Sequence, residues 1–126
     1  MIPNEIRVLV VDDEAMVCRM LKAYLEMRGL SVDIALTGAE ALAMLVGGGY
    51  RAAIVDMRLP DMTGDEMIAH AGDAARGTHF LIHTGSLDFR LSDRLRAAGI
   101  AEDDIIRKPV RDMGEIYDAV MRAAGR

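Results

Sequence analysis

The sequence predicts an α/β protein: a doubly wound, five-stranded parallel sheet with five helices covering both faces. Short apolar runs alternate strictly with segments that carry apolar residues at helical spacing. Strict alternation of this kind is typical of parallel sheets joined by right-handed crossovers. The runs are apolar throughout rather than at every second position, which is typical of strands buried on both faces. A chain of 126 residues has the size of one domain.

The strands are predicted from five apolar runs rich in β-branched residues. Four of these runs stop at a polar side chain that breaks the pattern: Asp12, Asp56, Thr84 and Lys108. The predicted strands cover residues 6–11, 31–35, 52–55, 80–83 and 104–107.

The helices are predicted from capping residues and glycines. Thr37 and Thr63 are each followed three residues later by glutamate, a pattern typical of a capping box at the start of a helix. Gly29 predicts the end of the first helix, and the glycines at 47–49 predict the end of the second. The third helix is expected to run to about residue 75, and the last two are expected over 91–98 and 112–124.

The composition excludes several classes of protein. Apolar residues make up 52% of the chain, which is too many for a disordered protein, and charged residues make up 28%, which is too many for a membrane protein. The N-terminal sequence lacks the pattern of a signal peptide. Cys18, the only cysteine, excludes a disulfide framework, and its place in the first helix predicts a buried, unreactive thiol. A net charge of −5 argues against binding to nucleic acid or insertion at an anionic membrane. We expect a single cytoplasmic domain over 1–126, with no effector domain in the chain.

Polar residues at the strand ends predict a binding site. Asp12, Asp13, Asp56, Thr84 and Lys108 follow four strands, and the carboxyl ends of parallel strands share one edge of the sheet. Three carboxylates, a hydroxyl and an ammonium suit a divalent cation, Mg²⁺, beside a phosphoryl group.

Each of these residues also has a simpler interpretation. In that interpretation Asp12 and Asp13 only begin a helix, whose dipole favours negative charge. Asp56 and Thr84 would be ordinary turn residues, and Lys108 would be a lysine on the surface. Against the last interpretation, Lys22 and Lys108 are the only lysines among fifteen basic residues. A lysine at the edge of the sheet in an arginine-rich chain indicates a need for a compact charge.

Four segments of the chain match a known pattern: VLVVDDE at 8–14, IVDMRLPDMTG at 54–64, HTGS at 83–86 and IIRKP at 105–109. In these segments the chain resembles the receiver domains of bacterial two-component response regulators, the CheY-like superfamily. The resemblance covers essentially the whole chain, and it implies a flavodoxin-like strand order of 2-1-3-4-5. It also implies that Asp56 accepts a phosphoryl group from the phosphohistidine of a sensor histidine kinase or a histidine phosphotransfer protein. Asp13, Asp56 and the backbone carbonyl of Arg58 would bind Mg²⁺ directly, and Asp12 would act through water.

The resemblance further implies roles for the later motifs. The hydroxyl of Thr84, the backbone N–H of Gly85 and the ammonium of Lys108 would stabilise the bound phosphoryl group. Arg58 and Ser86 would tune its lifetime.

One position departs from the pattern of the family. In the family an aromatic residue lies three positions before the lysine, and this aromatic side chain moves when the threonine hydroxyl moves. This chain has Ile105 at that position. The absence of this aromatic residue keeps open an alternative, a receiver fold that binds partners independently of phosphorylation.

An enzyme is the third interpretation. An aspartate-nucleophile phosphatase needs a second acid two residues after the nucleophile, and Arg58 occupies that place. We therefore expect a signalling module with a downstream protein partner, not a turnover enzyme. The family also predicts a homodimer through helix 4, strand 5 and helix 5.

Overall fold

The computed structural model describes residues 5–125 and contains a five-stranded parallel sheet in the order β2-β1-β3-β4-β5, which confirms the predicted fold class. Residues 1–4 and Arg126 belong to the predicted domain 1–126 but lie outside the described residues. The strands are β1 (Arg7–Val11), β2 (Ser31–Ala35), β3 (Ala52–Asp56), β4 (His79–Thr84) and β5 (Ile105–Arg107).

Five α-helices connect and follow the strands in the described part of the chain. They are α1 (Ala15–Met27), α2 (Gly38–Gly47), α3 (Gly64–Ala71), α4 (Asp93–Ala97) and α5 (Met113–Ala124), with 3₁₀ turns at Gly72–Ala75 and Glu102–Asp104. Over residues 5–125, no helix combines the length and the apolar character that crossing a membrane would require.

The sheet separates two apolar cores, because successive side chains of a strand point to opposite faces. On β1, Val8 and Val10 pack with α1 and α5, whereas Leu9 and Val11 pack with α2, α3 and α4. All four side chains are fully buried. This burial on both faces explains why the strand is apolar throughout.

The predicted capping box at α3 is confirmed, and at α2 one of the two predicted hydrogen bonds forms. Thr63 and Glu66 form a complete capping box. Thr37 accepts the N–H of Glu40, but the Glu40 carboxylate lies 3.4 Å from the N–H of Leu36 instead of bonding to Thr37.

The first N–H groups of α2 have a partner that is distant in sequence. The Asp61 carboxylate accepts the N–H of Gly38 at 2.8 Å and that of Ala39 at 2.9 Å, which lowers the pKa of Asp61. Asp61 therefore joins the loop after β3 to the start of α2.

Two helix boundaries differ from the prediction. The third helix ends at Ala71 rather than near residue 75, because Gly72 has φ +45° and the chain then tightens into a 3₁₀ turn. Helix α4 is shorter than the predicted 91–98, because Ser92 caps its start by accepting the N–H of Leu95, and Gly99 ends it with φ +91°.

Strand β5 begins at Ile105 rather than at residue 104. Asp104 lies in the preceding 3₁₀ turn, where its buried carboxylate accepts the N–H of Ala101 at 2.9 Å. The same carboxylate lies 3.1 Å from Nε2 of His79 at the start of β4. The buried Asp104 carboxylate thus has its polar partners on two other segments, which explains why Asp104 lies outside the strand.

Candidate functional site

The polar residues at the strand ends do meet at one edge of the sheet. An open cavity of about 1220 Å³ lies there, and its walls include Asp13, Asp56, Thr84, Gly85 and Lys108. Asp12 lies next to this cavity and is only 1% exposed. The parallel register explains the convergence, since the ends of β1, β3 and β4 are adjacent.

Three carboxylates form the acidic part of the site. Asp12, Asp13 and Asp56 each place an oxygen within 4.8 Å of the other two, a spacing that one metal ion can bridge. Carboxylate oxygens are the ligands that hard divalent cations prefer, so the donor set fits such an ion. Burial raises the pKa of Asp56 above its ordinary value, against the lowering effect of the Arg58 N–H and the Lys108 charge.

Lys108 is the cationic part of the site. Its Nζ lies 2.8 Å from Asp12 Oδ2, 3.5 Å from Glu14 Oε1 and 3.6 Å from Asp56 Oδ2. Burial lowers the pKa of Lys108, but the hydrogen bond to Asp12 and the charges of Asp12 and Asp56 outweigh burial and raise it. Because the side chain is only 19% exposed and contacts three acids, Lys108 is not a solvated surface lysine.

Thr84 and the residues after it form another part of the cavity wall. Thr84 is buried, and its Oγ1 accepts the N–H of Ser86 at 3.1 Å. The N–H of Lys108 donates to the carbonyl of Thr84 at 2.7 Å, which joins this wall to the lysine. Gly85 leaves open space, since a Cβ there would have the Lys108 Cβ as its nearest neighbour, at 3.9 Å.

The loop after β3 places Arg58 beside Asp56. The Arg58 N–H donates to Asp56 Oδ1 at 3.3 Å, and Arg58 also lines the cavity. Gly64 packs directly on this loop: its N–H donates to the Met57 carbonyl at 2.9 Å, and a Cβ at Gly64 would lie 2.6 Å from the Asp56 carbonyl oxygen. The loop therefore depends on glycine at the start of α3.

Ile105 fills the position where the family resemblance predicts an aromatic residue. It pairs with Ile82 in the sheet register and packs, partly buried, against the core beneath α3 and α4. Phe89, in the loop before α4, also packs on this core and lines the cavity.

Sequence reasoning did not assign Glu14 or His83 to the site. Glu14 directly follows the paired aspartates, and its contact with Lys108 gives it a place in the site. His83 faces Asp56 in the register of β3 and β4, and its Nε2 has no hydrogen-bond partner among the described residues. Burial, and then the Lys108 charge, lowers the pKa of His83 to about 4. The only signal in the sequence was a histidine inside an apolar strand.

Cys18 lies beneath the acidic cluster. It is fully buried, as predicted, and its Sγ–H donates to the Asp12 carbonyl at 3.2 Å. Burial, and then the Asp12 charge, raises the pKa of this thiol to about 11.

Comparisons with known proteins identify the family. A family model described as "Response regulator receiver domain" matches residues 8–121. The transcriptional regulatory protein CutR of Streptomyces coelicolor is 32% identical over 120 residues, which are 95% of this chain and 54% of CutR. The chain spans about half the length of the curated relatives it matches.

Solved structures show the same fold. A CheY-like receiver domain protein from Methanospirillum hungatei has a TM-score of 0.86 at 29% identity, covering 97% of this chain and 95% of that one. The response regulator TrrA of Thermotoga maritima, solved in complex with Mg²⁺-BeF, has a TM-score of 0.79 at 25% identity, covering 94% of this chain and 98% of that one. The chain therefore belongs to the response regulator receiver domains, the signalling modules of two-component systems.

Proposed function

We propose that this receiver domain is a phosphoacceptor, and that Asp56 takes a phosphoryl group from a phosphohistidine on a partner protein. One observation carries the proposal: the Asp56 carboxylate borders an open cavity, with two further carboxylates and the Lys108 ammonium within a few ångströms. The Mg²⁺-BeF complex of TrrA supports the same chemistry for this chain.

In the proposed reaction an oxygen of Asp56 attacks the phosphorus atom in line with the donor nitrogen. The P–O bond forms while the P–N bond breaks, and the leaving imidazole takes up a proton from solvent. Since phosphoryl transfer depends mainly on positioning and charge neutralisation, Lys108 would stabilise the equatorial oxygens. The Thr84 hydroxyl and the Gly85 N–H would donate further hydrogen bonds to them.

The acidic cluster is the proposed site of Mg²⁺. Asp13, Asp56 and the carbonyl of Arg58 would bind the ion directly, and Asp12 would contact it through water. When bound, the ion neutralises charge between the carboxylates and the phosphoryl oxygens. Arg58 and Ser86, which line the cavity, would then tune the hydrolysis of the acyl phosphate.

The partners follow from the family. Receiver domains of response regulators interact with histidine kinases, so we propose a sensor histidine kinase or a histidine phosphotransfer protein as the donor. We propose a cytoplasmic signalling domain over 1–126 that is not a turnover enzyme, that contacts nucleic acid through no surface of its own, and that acts on a downstream protein. The homodimer through α4, β5 and α5 stays a prediction.

The second candidate is an interaction module that works without phosphorylation. Ile105 favours it, because an aliphatic side chain packed on the core does not provide the mobile ring of the relatives. In this candidate the carboxylates would serve only the fold and the electrostatics of the surface.

An amide-resolved NMR titration with Mg²⁺ and then beryllofluoride, a phosphoryl mimic, separates the two candidates. For a phosphoacceptor we expect amides around Asp13, Asp56 and Thr84 to shift in the wild type and not in Asp56→Asn. Asp73→Asn, which changes an almost fully exposed carboxylate outside the cavity, is the matched control and should respond like the wild type.

A covalent test completes the comparison. After incubation with phosphoramidate, a donor with a P–N bond, intact-mass spectrometry should find one added phosphoryl group in the wild type and none in Asp56→Asn. Absence of both the mimic response and the added mass in the folded wild type would favour the interaction module.

A further inference from the structure

The loop between β4 and α4, residues 85–92, is bonded at both of its ends. Its first part contacts the site and β5, and its last part contacts α3. In its middle Leu87 is 84% exposed to solvent, whereas Phe89 packs on the core beneath α3 and α4. The first part of the loop therefore offers a hydrogen-bonded route from the site to β5.

At the end near the site, Ser86 is bonded through both of its backbone groups. Its N–H donates to Thr84 Oγ1 at 3.1 Å, and its carbonyl accepts a hydrogen bond from Arg107 Nη1 at 2.9 Å. Thr84 is in the cavity wall and Arg107 is the last residue of β5. Ser86 therefore connects a hydroxyl of the site to a side chain of β5 in two hydrogen bonds.

At the far end the loop is fixed to α3. Ser92 Oγ donates to Asp65 Oδ2 at 2.7 Å and accepts the N–H of Leu95, while Arg94 lies 3.3 Å from Asp65. These contacts hold the start of α4 in place. A rearrangement at Ser86 is thus directed toward β5 rather than toward α4.

Arg107 also lies on the face of β5 where the missing aromatic residue would lie. Alternate residues of a strand share a face, so Arg107 lies on the same face as Ile105 and opposite to Ile106. It is exposed, and a hydrogen bond weakens steeply once its geometry departs from linear. A small change in the position of the Ser86 carbonyl is therefore sufficient to release or move the guanidinium.

We propose that Arg107 is a positioning residue: it holds the Ser86 peptide against Thr84, and it transmits occupancy of the site to β5 in place of an aromatic residue at Ile105. This inference rests on the proposed phosphoacceptor function. When the Thr84 hydroxyl turns toward a phosphoryl group, its contact with the Ser86 N–H lengthens. The Ser86 carbonyl then moves, and Arg107 moves with it.

The test compares wild type, Arg107→Gln and Arg107→Lys by NMR before and after addition of Mg²⁺ and beryllofluoride. In the wild type we expect shifts at the pocket amides, at Ile105 and Ile106, and at the side-chain Nε–Hε of Arg107. In Arg107→Gln the pocket amides should still shift, while the response of the two isoleucines falls to roughly half or less. Arg107→Lys, which keeps a charged donor, should restore much of it. Arg19→Gln, at an exposed arginine on α1, should match the wild type.

The outcomes separate this inference from the function on which it rests. A pocket response with an undiminished β5 response in Arg107→Gln overturns the role of Arg107 and leaves the phosphoacceptor intact. Failure of Arg107→Lys to restore the β5 response also counts against it. If the wild type binds no mimic, the pocket amides stay unchanged, and the proposed function fails together with the relay.

Discussion

Replacement of His83 by leucine should make the folded protein markedly less sensitive to acid. His83 is buried, only 5% exposed, and its pKa is lowered to about 4 from the ordinary 6.5. Well above pH 6.5 the imidazole is neutral in both the folded and the unfolded chain. As the pH falls below 6.5, the unfolded chain takes up a proton at His83 while the folded protein does not, so the free energy of unfolding falls with pH until about pH 4.

The size of this effect follows from the two pKa values. The pKa of His83 is 6.5 in the unfolded chain and about 4 in the folded protein. Its protonation therefore lowers the free energy of unfolding by about 2 kcal/mol between pH 7 and pH 5, and by roughly 3 kcal/mol in total once the pH is below both pKa values. Leucine does not titrate and is close to histidine in volume, so it removes this loss. It also removes the Nε2 atom, which has no hydrogen-bond partner among residues 5–125.

The assay is urea unfolding followed by circular dichroism at several pH values between 5 and 7. The free energy of unfolding of His83→Leu should change by about 2 kcal/mol less across this range than that of the wild type. Met27→Gln, at an exposed side chain that does not titrate, is the control and should keep the slope of the wild type. Parallel curves for the wild type and His83→Leu would show that His83 titrates equally in the folded and unfolded states, which would refute the reasoning.

Three further predictions follow from the structure. Asp61→Ala removes the acceptor of two N–H groups at the start of α2, so the urea midpoint should fall, whereas an unchanged midpoint would mean that water replaces the carboxylate without loss. Gly64→Ala places a Cβ against the Asp56 carbonyl, so it should cost about 1–3 kcal/mol in urea unfolding and shift the amide of Asp56. Burial raises the pKa of Cys18 to about 11 from an ordinary value of 9.0, so its thiolate fraction at pH 7.5 is about 100-fold lower. A thiol reagent should therefore label it only slowly until urea unfolds the protein. Rapid labelling of the native protein would mean that α1 opens easily.

The sequence predicted the parts of the fold that have a periodic or local signal. The strands are apolar throughout because the sheet is covered on both faces, and the Thr63 box lies within four residues of chain. Boundaries that depend on distant partners were not predictable. The start of α4 depends on Ser92, whose hydroxyl contacts Asp65 at a separation of 27 residues, and Asp104 leaves β5 because it contacts Ala101 and His79.

The same distinction holds for the candidate site. The carboxyl ends of parallel strands meet by topology, so the convergence of Asp13, Asp56 and Lys108 could be inferred from their positions after apolar runs. The contact between Arg107 and Ser86 could not. Both residues lie on loops or at a strand end, and a single hydrogen bond to a backbone carbonyl leaves no pattern in the sequence.

The shortness of β5 also affects how this protein resists aggregation. β5 forms one border of the sheet, and an unpaired border is a template on which a strand of another molecule can add. This border offers only three residues, ends in a charged arginine, and is followed after Lys108 by a proline that has no N–H to donate. Growth of a continuous intermolecular sheet from this side is therefore unfavourable. Association at this border is therefore expected to rely on side chains, and their charge can control it.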